Sequence, residues 1–458
     1  MSGKNEKTEK NNRLDQEVVT IKRILTFFIP LGLTSMMMMM SHSIIAAGIA
    51  RTYLPEISMA AYAVSLNVIG IMEAPMVLAR QMSIALFKGP RSFAVVRNVA
   101  GLTVGFLSLI SLAVAFTPFG SFVFSQLLGV PDNLMLPTLQ VFRFVMLMPI
   151  VSCIRSLYHG VLITRQRTFF VTQAMFARIA LMVTLIFVFT QFDLVRGGYV
   201  GGVTIVAGIG MEAFYAMFRG RRLVEPPDGV EDPGDKDLTF SRAATFFYPL
   251  LLAGIMFSFT RPIMTAGMSR SLDPAIALAA YSVATAVGWI FIAPCQNVHQ
   301  ATMVFVREKE GFAQVRRFAK GFGLTGSLLL AAIAFTPLGH FVLTYLIGVS
   351  DQMLLPVLRA LRVLCVMPLI MSLQEYFMGI LLVNQHTRIV SLCKAGNLLA
   401  VTLMVLIGVF YFPHWGSVIG AAGQLAGFSA ELLVAGGAFV WMKNRGLLEV
   451  TEEKIQKE

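Results

Sequence analysis

The stretch AFTPFGSFVFSQLLGV at residues 115–130 returns as AFTPLGHFVLTYLIGV at residues 334–349, and this repetition decides the fold. The same offset relates Pro30 to Pro249 (249 − 30 = 219) and Glu212 to Glu431. Chance does not hold one register along a whole half-chain. The sequence therefore predicts two copies of a single structural unit.

The composition places that unit in a membrane. The chain has 458 residues, of which 56% are hydrophobic and 14% charged, and its mean hydropathy is +0.72. A soluble protein of this length carries about 25% charged residues. Apolar runs of about 20 residues recur, enough to cross a hydrocarbon core of about 30 Å, and they do not alternate as barrel strands do. We predict an all-α polytopic membrane protein with two pseudo-symmetric six-helix bundles.

Twelve spans fit this segmentation, at residues 24–50, 57–87, 93–117, 135–163, 168–192, 197–219, 243–269, 275–305, 318–345, 354–383, 388–412 and 416–442. A charged linker rich in Pro and Gly, residues 221–240, divides the copies. The predicted domains are an N-terminal tail (1–23), an N-lobe (24–220), that linker, a C-lobe (241–446) and a C-terminal tail (447–458). The first 23 residues are too polar for a signal peptide, so the first span should be retained.

The formal charge of +12 is a topology signal rather than a nucleic-acid signal. Lys and Arg cluster in alternate loops, which is the positive-inside pattern, and both termini are predicted to be cytoplasmic. Six spans per half give the two halves the same direction across the membrane. Repeats that run in the same direction are related by an axis along the membrane normal. They predict a substrate site between the lobes and alternating access by rocking of one lobe against the other. The alternative is a duplicated scaffold without transport.

Three segments carry a family resemblance: IPLGLTS (29–35), TRPIMTAGMSR (260–270) and GQLAGFSAE (423–431). With them the chain resembles the multidrug/oligosaccharidyl-lipid/polysaccharide (MOP) exporter superfamily and, within it, the progressive ankylosis protein family. The resemblance implies a MATE-like fold in the plasma membrane and export of small anions such as citrate, nucleotides or pyrophosphate. The alternatives are a MATE-type cation-coupled multidrug antiporter and a lipid-linked oligosaccharide flippase.

Charged side chains deep in the spans are the candidate site, because they are rare and functional in lipid. Adding 219 to His42 gives Arg261, and adding it to Arg80 gives His299. The predicted substrate-binding residues are His42, Arg80, Arg155, His159, Arg178, Arg261, His299 and Lys394, and the predicted coupling or counter-ion residues are Glu73 and Glu375. Every Asp falls in a tail, loop or linker. This excess of cationic over acidic side chains in the spans favours anionic substrates, since guanidinium groups suit carboxylate and phosphate. A cation antiporter would need buried carboxylates instead.

Finer roles follow from spacing. Glu73 and Arg80 share a helix face, so Glu73 is predicted as the counter-ion of Arg80. The site prediction has His42 opposing Arg261 and Arg80 opposing His299 across the lobes. Glu212 and Glu431 are interpreted as structural partners of buried Arg, with a coupling role as the alternative, and the histidines predict a pH dependence of transport. Arginines paired near the outer ends are interpreted as snorkelling; they are Arg51, Arg143, Arg270 and Arg362.

The remaining motifs exclude other classes. The methionine run 36–40 is interpreted as adaptable packing, with a flexible cavity wall or Cu(I) binding as alternatives. Cys153, Cys295, Cys365 and Cys393 lack paired spacing and are interpreted as buried hydrophobes. Without a P-loop, a metal-spaced cluster or a nucleophile triad, no enzyme, metal or cofactor is expected. The expected partners are the bilayer, a small anionic substrate and H⁺ or Na⁺ as a candidate coupling ion, with the protein as a monomer.

Overall fold

The computed structural model of the protein describes residues 19–52, 54–128, 130, 132–192, 197–225, 235–308, 310–347, 349 and 351–447. Within them, twelve helical stretches are long and apolar enough to cross a membrane. They are Ile21–Met38, Ile57–Leu86, Pro90–Phe116, Asp132–Thr164, Thr168–Phe192, Tyr199–Leu223, Phe240–Met268, Ile276–Phe305, Gly311–Phe335, Asp351–Val383, Thr387–Tyr411 and Ser417–Asn444. The prediction of twelve spans is confirmed.

Several spans are built from two helices. The first half contains α1 (Ile21–Ile49), α2 (Pro55–Leu86), α3 (Pro90–Phe116), α4 (Pro118–Phe122), α5 (Asp132–Val145), α6 (Met148–Thr164), α7 (Thr168–Phe192) and α8 (Tyr199–Gly220). The second half contains α9 (Phe240–Ser258), α10 (Thr260–Met268), α11 (Pro274–Cys295), α12 (Val298–Phe305), α13 (Gly311–Phe335), α14 (Pro337–Phe341), α15 (Asp351–Leu364), α16 (Met367–Val383), α17 (Thr387–Tyr411) and α18 (Ser417–Asn444). A turn of π-helix follows α4 (Val123–Leu127) and α14 (Val342–Ile347).

The helix boundaries keep the 219-residue register. Helices α6 and α16 begin and end at equivalent residues, and so do α7 and α17. The left-handed backbone at Gln166 returns at Gln385, immediately after the α6 and α16 turns. These matching boundaries confirm the duplicated fold predicted from the sequence.

The ninth span differs from its predicted range of 318–345 and ends at Phe335. The cause is Pro337, which disfavours helical backbone at the residue before it. Thr336 is extended (φ −111°, ψ 167°), and its hydroxyl accepts a hydrogen bond from the Leu338 amide, so a new short helix begins there. The prediction extended the span into α14 and the π-turn.

The two halves differ at the seventh and eighth spans, where α1 and α2 have broken counterparts. Pro262 lacks the amide that would bond to residue 258, and the helix is interrupted between α9 and α10. The eighth span breaks after Pro294, although Pro75 lies inside the continuous α2. The Asn297 amide donates to the Pro294 and Leu31 carbonyls, which supplies partners that the broken backbone needs.

The chain forms two compact units. The N-unit comprises Leu33–Ile255, and the C-unit comprises the described residues up to Gly32 together with those from Met256 onward. The start of α1 thus belongs to the C-unit, and most of α9 belongs to the N-unit. The lobes predicted at 24–220 and 241–446 instead divide the chain at the linker. Those lobe boundaries stay predictions, and the tails fall largely outside the described residues.

Each unit has its own apolar core. In the N-unit, Phe124 and Phe142 meet edge to face beneath α2 residues such as Ile69. In the C-unit, the start of α1 packs through Phe27 and Phe28 against aromatic rings of α12 and α13, while Arg23 pairs with Glu308 at 2.6 Å. The four cysteines are buried and free.

The described end of the linker is fastened to the N-unit by Asp235. Its carboxylate accepts hydrogen bonds from the amides of Arg91 (3.0 Å) and Ser92 (2.8 Å), the first free donors of α3. Burial alone would raise the pKa of Asp235, but the hydrogen bonds from Ser92 and Arg91 and the Arg91 charge outweigh it and lower that pKa. The linker therefore caps α3 with a carboxylate that stays ionised.

Candidate functional site

Glu212 is the centre of a buried ionic cluster in the N-unit. It lies on α8 with 1% of its surface exposed. Arg178 of α7 donates to its carboxylate at 2.9 Å, and Arg155 of α6 donates at 3.4 Å. A buried carboxylate needs such partners, because an uncompensated buried charge is strongly destabilising. Glu212 thus joins three helices as a partner of two buried arginines.

Glu73 on α2 belongs to the same cluster, and the predicted Glu73–Arg80 pair is wrong. Glu73 accepts a short hydrogen bond from the Ser152 hydroxyl and pairs with Arg155 at 3.5 Å. Seven residues along a helix correspond to a rise of about 10 Å, which separates Glu73 from Arg80 on one face. Its partner comes instead from the neighbouring helix α6.

His159 lies one turn after Arg155 on α6 and faces the same carboxylate. Its Nε2 atom is 3.7 Å from Glu212 Oε1, beyond hydrogen-bond distance. The ring is 2% exposed. Arg155, His159 and Arg178 are therefore held together, but as parts of a packed cluster around one glutamate.

Arg80 is a cation of the same region that forms no ion pair with another described residue. Its side chain is partly buried, and its Nε is buried without a hydrogen-bond partner among the described residues. Arg155 and Glu212 both lie close enough to act on it electrostatically, with opposite signs. Three arginines and two glutamates meet in this region, so one positive charge is left in excess. A buried guanidinium nitrogen without a partner is a site that an anion can satisfy.

Glu431 occupies the equivalent place in the C-unit. Its carboxylate accepts from Lys394 (2.7 Å), Asn397 (2.7 Å) and Gln374 (2.9 Å). Gln374 and Asn397 are the repeat equivalents of Arg155 and Arg178. The second copy thus keeps the same three-helix contact but replaces two charged donors with amides and one lysine.

Lys394 also lies over two aromatic rings. Its ammonium is 4.7 Å from the Phe257 ring centroid and 5.9 Å from that of Phe428. Such cation–π contacts help a charge to remain in an apolar setting. Lys394 is therefore held on three sides, by Glu431 and by both rings.

Glu375 is paired with His299. The imidazole Nδ1 lies 2.6 Å from the Glu375 carboxylate and 2.6 Å from the Gln296 carbonyl oxygen. This pair joins α12 to α16 next to the break in the eighth span. Both residues were predicted from the sequence, as a substrate ligand and a coupling residue respectively, but not as partners.

Arg261 is exposed, unlike the clustered cations. It follows the break in the seventh span and acts electrostatically on Tyr281, whose hydroxyl donates to Gln424 Oε1 at 2.9 Å. For His42 the helix backbone is described but its side chain lies outside the described residues. The predicted oppositions of His42 with Arg261 and of Arg80 with His299 stay predictions.

The methionine run and the paired outer arginines are also placed. Met37 is 6% exposed, whereas Met36, Met38 and Met40 are 43%, 37% and 55% exposed, so most of the run is not core.

The arginines repeat their contacts across the two halves. They bond to backbone carbonyls, Arg51 to Ala47, Arg270 to Ala266, Arg143 to Ala115 and Arg362 to Ala334.

Sequence reasoning missed the neutral members of both clusters. Ser152, Gln374 and Asn397 are uncharged, so a search for charge in the spans passes over them. The repeat register contained the signal for two of them, because adding 219 to Arg155 and Arg178 leads to Gln374 and Asn397. No group of three or more metal-ligating side chains was found among the described residues.

The fold is shared with solved transporters. A eukaryotic MATE transporter, AtDTX14, superposes with a TM-score of 0.71 at 10% identity, covering 95% of this chain and 98% of that one. The Vibrio cholerae MATE transporter VcmN in its bent form gives 0.69 at 17% identity, with 93% and 97% covered. A MOP superfamily transporter from Pyrococcus furiosus, described as having a binding pocket of reverse polarity, gives 0.68 at 14% identity, with 93% and 95% covered.

A family assignment comes from the sequence profile of the progressive ankylosis protein (ANKH), which matches residues 16–277 and 237–411. The two matches overlap and together include well over half of the chain. They include two of the three segments quoted above, 29–35 and 260–270, and confirm the resemblance to this family. The chain therefore belongs to the progressive ankylosis protein family, and it has twelve candidate membrane spans arranged in the fold of the MATE transporters.

Proposed function

We propose that this transporter exports small organic or phosphorylated anions, of the citrate, nucleotide or pyrophosphate class, by rocker-switch alternating access. Membership of the progressive ankylosis family supports the anion class. The observation that carries the proposal is Arg80, whose buried Nε has no partner among the described residues. An anionic oxygen at that atom supplies the missing acceptor and neutralises the one excess positive charge of this cluster.

The anion gains a second ligand from Arg155. The Arg155–Glu73 contact, at 3.5 Å, is the longest of the three arginine–glutamate pairs in the cluster, and the Glu73 side chain is 17% exposed. A substrate carboxylate or phosphate displaces Glu73 and takes over part of the Arg155 guanidinium, which suits bidentate oxygens. Binding then changes which groups are paired, and a ligand shifts a conformational equilibrium only through such a difference.

The other predicted ligands extend this proposal. Arg178 and His159 hold Glu212 in place within the N-unit, and Lys394 holds Glu431 within the C-unit; Arg261, exposed next to the helix break, is proposed as a further ligand of the anion. His42 and His299 complete the proposed set of cationic or cationisable groups. The protein is proposed to act as a monomer in the plasma membrane with both termini in the cytoplasm.

A MATE-type cation antiporter is the second candidate, since solved proteins of this fold include MATE transporters. Such a protein needs a free deep carboxylate for its cationic substrate. Here each of the four deep glutamates already has a cationic or cationisable partner: Glu73 has Arg155, Glu212 has Arg155 and Arg178, Glu375 has His299, and Glu431 has Lys394. This pairing favours the anion. A lipid-linked oligosaccharide flippase remains the third candidate.

Uptake into everted membrane vesicles tests the proposal with labelled citrate, ATP or pyrophosphate against ethidium. We expect uptake of at least one anion and a loss of about 10-fold or more in Arg80→Gln, since a hydrogen bond to a charged group contributes about 1.5–3 kcal/mol. Arg143→Gln is the matched control. That arginine is exposed and bonds only to a backbone carbonyl and the Phe116 ring among the described residues, so its loss should change uptake less than about 2-fold.

Three results contradict the proposal. Uptake of ethidium alone, abolished by Glu73→Gln, identifies a cation antiporter. Translocation of a lipid-linked oligosaccharide without any soluble anion identifies a flippase. Equal uptake by wild type and Arg80→Gln removes Arg80 from the site.

A further inference from the structure

Two rows of side chains run along the end of α8, and neither is used by the proposed transport mechanism. In the first row, the rings of Phe214 and Phe218 stack with their centroids 6.4 Å apart, and the Arg222 guanidinium lies 5.7 Å from the Phe218 ring. The two phenylalanines are 61% and 47% exposed. Because residues four apart share a helix face, this row is apolar within the span and cationic at its end.

The second row holds an arginine over two rings. The Arg219 guanidinium lies 4.9 Å from the Phe170 ring centroid and 5.6 Å from that of Tyr215, and the Tyr215 hydroxyl donates to Gln173 at 2.7 Å. Phe170 and Gln173 belong to α7, so these contacts join the start of α7 to the end of α8. A guanidinium that stacks on rings keeps the N–H groups in its plane available to an anion.

The cations at this end of the two helices are not neutralised by the protein. Arg167 directly precedes α7, and Arg221 and Arg222 follow α8; like Arg219, all three are exposed. None of the four forms an ion pair with an acid in the part of the chain that the structure describes. Such a cluster of basic residues at the end of a membrane span attracts anionic lipid.

We propose that this end of α7 and α8 binds one anionic phospholipid. Its phosphate accepts hydrogen bonds from Arg219 and Arg222, since the planar guanidinium suits phosphate oxygens. One acyl chain lies along the exposed rings of Phe214 and Phe218. The eight residues from Phe214 to Arg222 rise by about 12 Å, so the chain and the headgroup of the lipid meet different parts of the same row.

The position of the rows identifies the partner as a lipid. Both helices belong to candidate membrane spans, Thr168–Phe192 and Tyr199–Leu223, and the rows lie where these spans end and begin. Aromatic rings and arginines at the end of a span are placed at the boundary between hydrocarbon and headgroups. An amphiphile with a negative headgroup matches the order of apolar and cationic groups along α8.

The second copy of the repeat shows that topology alone does not produce this arrangement. The positive-inside pattern needs only basic residues near the ends of the spans, without rings beneath them. Adding 219 to the numbers of the six aromatic and basic residues gives Ile389, Leu433, Val434, Gly437, Ala438 and Trp441. None of these is basic and only Trp441 is aromatic. The proposed lipid site is therefore specific to the N-unit.

Native mass spectrometry of the full chain, titrated with phosphatidylglycerol, gives the apparent dissociation constant of the first bound lipid. We expect Arg219→Gln and Arg222→Gln each to raise it by about 10-fold, because a charge-assisted hydrogen bond to the phosphate is lost. Arg388→Gln is the matched control and should change it less than about 2-fold. Arg388 is exposed at the start of α17, with no ring contact or acidic partner among the described residues.

Two further ligands separate this site from unspecific lipid and from a free phosphate site. Phosphatidylcholine with the same acyl chains should bind at least about 10-fold more weakly, because its headgroup has no net charge. Inorganic phosphate at the same concentration should not displace phosphatidylglycerol, because it cannot contact Phe214 and Phe218. Melting curves of each variant verify that it is folded.

Three results overturn the lipid site. They are equal binding of the two phospholipids, displacement by inorganic phosphate, and unchanged binding in both Arg219→Gln and Arg222→Gln. An effect of Arg388→Gln as large as that of Arg219→Gln also overturns it, because basic charge at any span end would then suffice. None of these measurements involves transport, so the lipid site and anion export succeed or fail separately.

Discussion

Replacing Arg178 with Asn tests how the buried cluster of the N-unit is held together. Arg178 and Glu212 are 2% and 1% exposed, and their charged atoms are 2.9 Å apart. At an effective dielectric constant of about 20, this attraction is about 6 kcal/mol, and that of Arg155 at 3.4 Å is about 5 kcal/mol. Removing one partner of a buried pair costs about 3–5 kcal/mol, because the remaining charge stays buried. We expect Arg178→Asn to lower the free energy of unfolding by that amount.

The second copy of the repeat supplies a rescue. Asn397 is the natural equivalent of Arg178 and bonds Glu431 at 2.7 Å, while Lys394, the equivalent of Met175, carries the charge at 2.7 Å. Met175→Lys combined with Arg178→Asn should therefore recover more than half of the lost stability. Arg143→Gln, at an exposed site, should change stability by less than about 1 kcal/mol.

Reversible unfolding in bicelles by steric trapping gives the free energies of unfolding of these variants. The reasoning is refuted if Arg178→Asn is as stable as wild type, or if the double variant is no better than Arg178→Asn alone. The first result would mean that Arg155 alone neutralises Glu212. The second would mean that the two copies do not share one electrostatic arrangement.

Three further predictions concern packing, the linker and the start of α1. Gly160→Ala should destabilise the protein by about 1–3 kcal/mol, because a Cβ there would clash with the Ser83 side chain, whereas Gly105→Ala has open space and should be neutral or slightly stabilising in a thermal melt. Asp235→Ala should lower stability by about 1 kcal/mol at neutral pH, because it uncaps α3. Since the pKa of Asp235 is lowered in the folded state, this stability difference is present above the unfolded pKa of about 3.9 and should disappear as the pH falls through the folded pKa. Melting curves of both proteins recorded against pH would show this loss. Reversing the charges in Arg23→Glu with Glu308→Arg should restore the thermal stability that either single change lowers by up to about 1 kcal/mol, and equal melts for the single and double variants would contradict a direct ion pair.

Much of the fold was predictable because the bilayer leaves few choices. Each spanning segment must satisfy its own backbone hydrogen bonds, so length and apolarity alone identified the twelve spans. The repeat then linked the helices in pairs, and prolines such as Pro149 and Pro368 fall at the same point of the repeat, at the starts of α6 and α16. The exception at Pro337 shows the limit, since a continuous apolar stretch concealed the end of a helix.

The candidate site was predictable in its charged members but not in its pairing. Arg155, Arg178, His159, Glu73, Lys394, Glu375 and His299 were all singled out from the sequence because charge in a span is costly. Neutral donors such as Gln374 and Asn397 carry no such signal, although they satisfy the same kind of carboxylate. Asp235 was assigned only to the linker, because nothing in its local sequence reveals the α3 amides that it caps.

The sequence by itself determined that the chain crosses the membrane twelve times, that its halves are duplicates, and which side chains bring charge into the spans. The tertiary structure alone decided the partners. Glu73 pairs with Arg155 rather than Arg80, and His299 meets Glu375, because ion pairs form over about 4 Å while two helical turns along one helix separate groups by about 10 Å. Spacing along a chain gives the face of a helix, but contact between charges depends on which helix packs against that face.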